Sequence, residues 1–481
     1  MKNILFVFFM LQFIYSISIY SQEGTLDQNF ANNGTFEINS PSGFSGMCEE
    51  LVVDSNNNIY SIGTSYMNVN QDYEQIIVKL LPNGTPDVTF GNNGIVTSPS
   101  TFGTLKDIAI QNTGKIIITS YVNGTIYIRR LDQDGSFDLS FAQNGVFMFS
   151  TNYWGSSSSL LLHNNDIFIG GIISSNPVIF KLDQNGILDS TFGTNGYFYL
   201  PSGGFVIDIQ VDNQGMLYCA YFEDAGWDRL VLLTKLNTQG IIDTNFGING
   251  VLELYTVFVI DVGEIKIINN SLYLLINHIN EVSAFGSRFA KANLNGTIDN
   301  SFGNNGFYSN SYRILSFLVQ NDYKILTGGY EQFDDNKKMF RLNASGQLDS
   351  SFGDNGVIEN MPIYMSDFKF QGSDSFLIGG NIFNGDNHSY AISRYLITNP
   401  ALSTDEDSSS TFTIFPNPIQ TNFSIYTSKT IRQVKVYDIW GKLVFSPSSN
   451  NYNISNLKSG MYFVKIEFED GSSGVKKILK I

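Results

Sequence analysis

An eleven-residue phrase recurs seven times in this chain. It reads GTLDQNFANNG from Gly24, GTPDVTFGNNG from Gly84, GSFDLSFAQNG from Gly135, GILDSTFGTNG from Gly186, GIIDTNFGING from Gly240, GTIDNSFGNNG from Gly296 and GQLDSSFGDNG from Gly346. Its aspartates, Asp27, Asp87, Asp138, Asp189, Asp243, Asp299 and Asp349, stand 60, 51, 51, 54, 56 and 50 residues apart. Recurrence at this period restricts the fold to an array, a solenoid or a propeller built from one supersecondary unit.

Between the phrases the chain is written in short β-rich runs. After the first come MCEELVVD, NIYSIGTSY and EQIIVKLLPNG, then the second phrase, then GIVTS. Most runs are four to eight residues of β-branched and aromatic side chains, which predicts four strands per unit. Helix formers are scarce, and Gly, Asn and Ser are abundant. Four-stranded antiparallel sheets recurring radially make a β-propeller. Three-strand bodies begin near residues 46, 103, 158, 205, 260, 314 and 364, which is seven. The last body is followed by no phrase, whereas the first phrase, with a strand at 35–38, precedes any body. The surplus fits the deficit. The expected fold class is all-β: a seven-bladed propeller over residues 22–397, closed by the N-terminal strand pairing with 390–397, plus a small C-terminal Ig-like β-sandwich. Closure removes open sheet edges.

Within the phrase each residue type has a structural task. The Asn-Gly pairs ending in Gly34, Gly94, Gly145, Gly196, Gly250, Gly306 and Gly356 supply positive φ at a turn. The aspartate accepts nearby backbone N–H groups in an Asx-type turn. Phe30, Phe90, Phe141, Phe192, Phe246, Phe302 and Phe352 plug the seams between sheets. The competing reading is calcium at the aspartates, but each unit regularly offers one carboxylate where calcium takes six to eight oxygens. No cofactor is expected, with calcium the ion left open. These units resemble the delta-60 repeats of secreted bacterial proteins, whose hallmark is GxLDxxFGxxG, over residues 24–397. Ala31 and Ala142 depart from it at the first glycine after the phenylalanine. The resemblance implies a fold and a location and no reaction.

Charge excludes one class of partner. The chain carries −16 overall. Residues 412–481 hold nine Lys and Arg against four Asp and Glu, a net of +5, which leaves residues 22–411 at −22. A body this acidic repels nucleic acid, whose binders present a basic face. Cys48 and Cys219 fall in the first and fourth units, too far apart for a disulfide, and read as buried small side chains. The three histidines form no zinc-ligand spacing. A monomer is expected.

Both ends read as targeting segments. Residues 1–21, one lysine and a long apolar run ending in small residues, read as a secretory signal peptide; a membrane anchor is the alternative. Residues 398–411 (TNPALSTDEDSSST) are a polar acidic linker. The remaining seventy residues are β-rich runs between turn signals. They resemble the type A C-terminal sorting domain of the type IX secretion system. The resemblance rests on Pro416-Asn417-Pro418 after an aromatic, Tyr437-Asp438 with Gly441-Lys442, the LKSGMY stretch with Gly460 and Tyr462, and the lysine-rich end with Lys476. It implies a partner, the type IX machinery, and an extracellular or outer-membrane-surface destination. The alternative is a carbohydrate- or partner-binding sandwich.

A ligand site is expected on the rim opposite the phrases, where second-to-third connections vary in length. That rim gathers Tyr73, Trp154, Trp227, Phe285 and Phe333 beside Asp72, Glu223, Asp224, Asp228, Asp334 and Asp335. Variable loops on a rigid scaffold are where binding usually resides. Aromatics beside acids suit a glycan or another surface ligand. No catalytic residue is singled out: GxSxG is absent as a nucleophile signature, and no sequence rule picks an acid pair. The two functional classes are a secreted binding, adhesion or scaffold propeller that uses this rim, and an extracellular glycan-active hydrolase or lyase that uses rim carboxylates.

Overall fold

In the computed structural model the chain is described at residues 23–39, 45–65, 74–98, 103–150, 159–174, 176–201, 204–225, 228–256, 259–279, 285–331, 334–385, 387–397, 412–427, 429–438, 443–447, 452–469 and 473–481. The signal-peptide and linker readings, 1–21 and 398–411, lie outside these residues. The chain divides into two units, one spanning Gln22–Asn399 and one carrying the tail from Pro400 to Ile481.

The first unit is a β-propeller. Among its described residues are seven four-stranded antiparallel sheets. The first consists of Met47–Val53, Ile59–Ser65, Glu74–Leu80 and Ile95–Ser98, paired in that order. The opening strands of the seven sheets are Met47–Val53, Thr104–Ile110, Ser159–His163, Phe205–Val211, Val259–Ile268, Arg313–Val319 and Ile363–Gln371. Each contacts the next, and the last returns to the first, so together they line an axis. Second and third strands are buried on both faces because sheets stack on both sides of them, as at Ile59–Ser65 and Glu74–Leu80. That is why these runs read as continuously apolar and show no alternation.

The seventh sheet takes its outer strand from the chain's beginning. Thr35–Ile38 pairs antiparallel with His388–Leu396, with Thr35 opposite Ser393 and Ile38 opposite Tyr390. Upstream, the Gly24 N–H donates to the Leu396 carbonyl at 2.7 Å, and Asp27 meets Arg394 at 2.7 Å.

The recurring phrase bolts each sheet to its neighbour. Its phenylalanines are at most 1 % exposed. Phe90 packs with Ile62 and Ile77 of the first sheet and with Leu105 and Ile108 of the second. The residue after the phenylalanine donates its N–H to the next unit's turn: Gly91 to the Asp134 carbonyl, Ala142 to Asn185 and Gly193 to Gln239, at 2.7–2.8 Å. At this position Ala31 and Ala142 take φ of 45° and 48°, close to the 53° of Gly91. The glycine thus reflects a left-handed backbone that alanine also adopts, at some steric cost.

Each motif aspartate is engaged on both oxygens. In Asp87, Oδ1 accepts the Thr89 N–H at 3.0 Å and Oδ2 meets Lys79 at 2.8 Å. The same arrangement joins Arg130 to Asp138, Lys181 to Asp189, Lys235 to Asp243, Lys291 to Asp299 and Arg341 to Asp349 at 2.7–3.2 Å. In all six the cation stands eight residues before the aspartate, on the third strand. Arginine also stacks on the motif ring, Arg341 over Phe352 at 4.9 Å and Arg394 over Phe30 at 4.7 Å. Partly shielded and hydrogen-bonded pairs of this kind cost more to break singly than an exposed pair contributes, because a half-buried charge is left behind.

The second unit contains a two-stranded sheet, Phe412–Phe415 with Ser424–Thr427, and a four-stranded sheet ordered Leu443–Phe445, Ile431–Tyr437, Gly460–Phe468, Ser473–Lys480. Both sheets contribute to one core that includes Phe412, Val436, Tyr462, Val464 and Ile478.

Candidate functional site

The propeller's axis holds a polar cavity of about 490 Å³. Its wall comes from the seven opening strands, with Phe222 added from a second strand. Five of them are bulged, at Cys48/Glu50, Leu105/Asp107, Val206/Asp208, Ile314/Phe317 and Met365/Asp367, and Val259–Ile268 shifts register twice. A bulge turns an extra side chain and an extra N–H toward one face. Glu50, Asp107, Ser159, Asp208, Glu264, Ser316 and Asp367, one per strand, line the cavity, Ser159 from a strand that carries no bulge.

These side chains link the strands in one sense around the axis. Asp107 Oδ2 accepts the Leu160 N–H at 2.8 Å. Ser159 Oγ accepts from Ile209, Asp208 Oδ2 from Ile265 and Glu264 Oε1 from Phe317, at 2.7–3.1 Å. Ser316 Oγ accepts from Phe368 at 3.2 Å, and Asp367 Oδ2 accepts from Leu51 at 2.8 Å. The joint between Met47–Val53 and Thr104–Ile110 departs from this pattern: Glu50 turns back to pair with Lys369 of the seventh sheet at 2.9 Å, and the Ile108 N–H bonds Asp107 Oδ1 of its own strand at 2.7 Å. Lys369 also meets Asp367 at 3.0 Å, and Lys266 meets Glu264 at 2.8 Å.

Burial shapes the protonation of this ring. It pushes the Asp107 carboxyl up to about 7, against the pull of the Leu160 and Ile108 N–H donors. It raises Asp208 as well, and it raises Glu50, with Asp367 adding repulsion. Burial alone would lower Lys369, but the neighbouring Asp367, Glu50 and Glu264 carboxylates outweigh it and raise the ammonium. The motif aspartates move the other way. Hydrogen bonds from Lys79 and Thr89 hold Asp87 down at about 2, and those from Thr191 and Lys181 hold Asp189 at about 2.

The signs fix a pH profile. A carboxyl raised in the folded state favours folding increasingly as pH falls from above its folded value toward the unfolded one, roughly 3.9. A depressed carboxyl contributes stability above about 3.9 that is lost as pH falls through its folded value. The melting temperature is therefore expected to climb from pH 8 to about 5 and to drop below about 4. Asp107→Asn should make the climb smaller and leave the acid-side drop in place. A thermal-denaturation series across pH checks both arms; a flat profile above pH 5 in the parent chain contradicts the assignment to the axis.

Of the sequence-predicted ligand residues, Asp72, Tyr73, Trp154, Trp227 and Phe333 lie outside the described residues. Asp228, Phe285, Asp334 and Asp335 stand in strands, and their side chains, like that of Asp224, are not among those described. In their described residues, three of the connections expected there as loops carry strand. Leu217–Ala225 runs into Asp228–Leu236, Ser271–Ile279 is followed by Phe285–Asn293, and Ile325–Glu331 runs into Asp334–Leu342. Glu223 pairs opposite Leu230 within such a hairpin.

On the same rim the structure assembles a cluster from the sixth and seventh sheets. Tyr330, Tyr364 and His388 follow one another edge to face at 6.0 and 5.6 Å, with Phe383 at 5.0 Å from His388. Lys337 Nζ sits 3.9 Å above the Tyr364 ring. Asn381 Oδ1 lies 2.8 Å from His388 Nδ1, and Phe383 is 49 % exposed. Such a surface offers a ring edge, a cation and an amide together. A larger recess of about 630 Å³ lies at the periphery beside Arg288, Phe307 and Gln347. Arg288 is the only charged side chain among the described residues of its wall, which lacks the converging acids and bases of the axis. Among the described residues, no group of three or more His, Cys, Asp and Glu is placed to hold a metal ion.

In the tail, the Pro416-Asn417-Pro418 segment docks on the last strand. Asn417 Nδ2 donates to the Lys477 carbonyl at 3.1 Å and its Oδ1 accepts the Leu479 N–H at 2.8 Å, so its amide imitates a strand partner. Ile419 and Ile481 continue the pairing. Tyr462 donates its hydroxyl to the Lys458 carbonyl at 2.8 Å, and Lys476 lies over the Phe412 ring at 5.7 Å. Gly441 and Lys442 lie outside the described residues.

Residues 413–481 match the family described as the secretion system C-terminal sorting domain. The tail is a type IX sorting domain. The sorting domain directs export through the type IX machinery to the cell surface or beyond. In the body, residues 55–90, 111–141 and 320–352 match a β-propeller domain of unknown function, DUF5122, and each match ends on or beside a motif phenylalanine, at Phe90, Phe141 and Phe352. No curated protein matches the chain. Among solved structures, YCF48 from Cyanidioschyzon merolae is similar at 11 % identity and TM-score 0.42, over 75 % of this chain and 98 % of that one. The β-propeller domain of the Trilobed protease from Pyrococcus furiosus is similar at 8 % identity and TM-score 0.43, over 76 % and 99 %. The α-L-arabinofuranosidase Arb93A from Fusarium graminearum is similar at 10 % identity and TM-score 0.36, over 75 % and 97 %.

Proposed function

We propose that this chain is a secreted or surface-held binding and adhesion protein. A signal peptide starts its export, the Ig-like sorting domain completes it, and a monomeric seven-bladed propeller of delta-60 units presents one rim to a glycan or other surface ligand. The observation that carries the reading is how the carboxylates are used. Motif aspartates are held by N–H groups and cations, and axial carboxylates by N–H groups or lysines. What remains for a ligand is the rim, with its long hairpins and the cluster of Tyr330, Lys337, Tyr364, Phe383 and His388. Aromatic faces beside amides and cations suit sugar rings and their hydroxyls.

A glycan-active enzyme is the second reading, favoured by Asp107 and Asp208, two carboxyls raised by burial in one cavity. Against it stands their engagement in strand linkage. Incubating the mature body with a glycan panel, and scoring both retention and product release, tests the choice. Retention without turnover is expected, weakened several-fold by Tyr364→Ala. Turnover abolished by Asp107→Asn or Asp208→Asn would establish the enzyme instead.

A further inference from the structure

The chain contains twelve Asn-Gly pairs, at Asn33, Asn83, Asn93, Asn123, Asn144, Asn185, Asn195, Asn249, Asn295, Asn305, Asn355 and Asn384. Asn-Gly is the sequence most prone to spontaneous loss of the side-chain amide. The glycine nitrogen is the nucleophile, and glycine offers no side chain to hinder it. The reaction requires that this nitrogen shed its proton and swing onto the asparagine Cγ. A glycine N–H fixed in a hydrogen bond does neither until the turn opens.

Eleven of the pairs are fixed in this way. In the seven recurring phrases the glycine N–H donates to the motif phenylalanine's carbonyl, from Gly34 to Phe30 through Gly356 to Phe352, at 2.7–2.9 Å. Gly84, Gly186 and Gly296 donate to Leu81, Asp183 and Asn293 at 2.9–3.0 Å. Gly124 donates to the Tyr121 hydroxyl at 3.0 Å. The twelfth differs. The Gly385 N–H has no acceptor among the described residues, a Cβ placed on Gly385 would meet nothing within 4 Å, and both Asn384 and Gly385 are exposed. Asn384 is steadied in the turn of its hairpin, by its N–H to the Asn387 carbonyl at 2.9 Å and its Nδ2 to Ser389 Oγ at 2.9 Å. Neither contact restrains the glycine nitrogen.

We propose that Asn384 is the chain's site of spontaneous deamidation in the folded state, and that it acts as an ageing mark on the hairpin of the seventh sheet. The Gly385 nitrogen gives its proton to water and bonds to Asn384 Cγ; the Cγ–Nδ2 bond breaks and ammonia leaves with the proton returned. Water then opens the succinimide at one of its two carbonyls, leaving aspartate or, with the backbone rerouted through the side chain, isoaspartate. One water enters, one ammonia leaves, and no oxidant or reductant takes part. The new carboxylate arises one residue from Phe383 and four from His388, both in the rim cluster.

The test ages the purified full chain in warm, mildly alkaline buffer, digests it and follows all twelve peptides by mass and by isoaspartyl labelling. Asn384 is expected to convert roughly tenfold faster than any other pair while the chain is folded, the spread that differences in local opening produce. In strong urea the twelve rates should converge. Any other pair converting first in the folded chain, or Asn384 remaining the outlier in urea, would overturn the proposal.

Discussion

Deleting residues 23–38 is expected to abolish the cooperative melting of the propeller. That segment supplies the outer strand of the seventh sheet, the Asp27–Arg394 pair and the fully buried Phe30. Losing a buried phenylalanine side chain alone costs roughly 3–5 kcal/mol. The deletion adds an exposed edge on His388–Leu396 and an uncompensated, partly buried Arg394. Against a net stability of roughly 5–15 kcal/mol these losses are decisive. Phe30→Ala should show the single-residue share as a lowered but still cooperative transition, and a synthetic peptide of residues 22–39 should restore order to the deleted chain. Circular dichroism melts read all three. A deletion chain that melts like the parent would mean the seventh sheet does not need its outer strand.

Removing residues 412–481 is expected to stop export almost completely while leaving the melting of the propeller unchanged. The sorting domain has its own core and forms a separate compact unit. A subtler change asks whether docking of the Pro-Asn-Pro segment matters to export. Asn417→Ala deletes both bonds to the last strand, at Lys477 and Leu479. It should cut export several-fold without emptying the cell of folded protein. Fractionation of cells into periplasm, surface and medium reads the outcome. Normal delivery of the chain lacking its last seventy residues would remove the sorting domain from the export route.

Much of the architecture was legible because the chain repeats itself. The phrase marks one rim, its spacing marks the sheets, and the unpaired first phrase points to the pairing of Thr35–Ile38 with the last strand. Two features were present in the letters but hidden by variation. Lysine or arginine stands eight residues before six of the motif aspartates, a pattern diluted by alternation between the two residue types. The axial ring is harder still, since Glu50, Asp107, Ser159, Asp208, Glu264, Ser316 and Asp367 share a position and little else. A polar residue directly before an apolar one, as in DIAI, DIQV and DFKF, was its only trace. On the rim, polar letters conceal strand: residues 221–225 and 228–230 belong to Leu217–Ala225 and Asp228–Leu236, because backbone pairing does not require apolar side chains.

The axial ring has a consequence for how such a chain could come to be. In six of its seven joints a unit contributes an acceptor to the unit after it and a backbone donor to the unit before it. A copied segment therefore arrives with its own couplings at both sides. Duplicating one stretch of gene adds a wedge that leaves no polar group stranded at the hub, while the outlying hairpins are free to diverge.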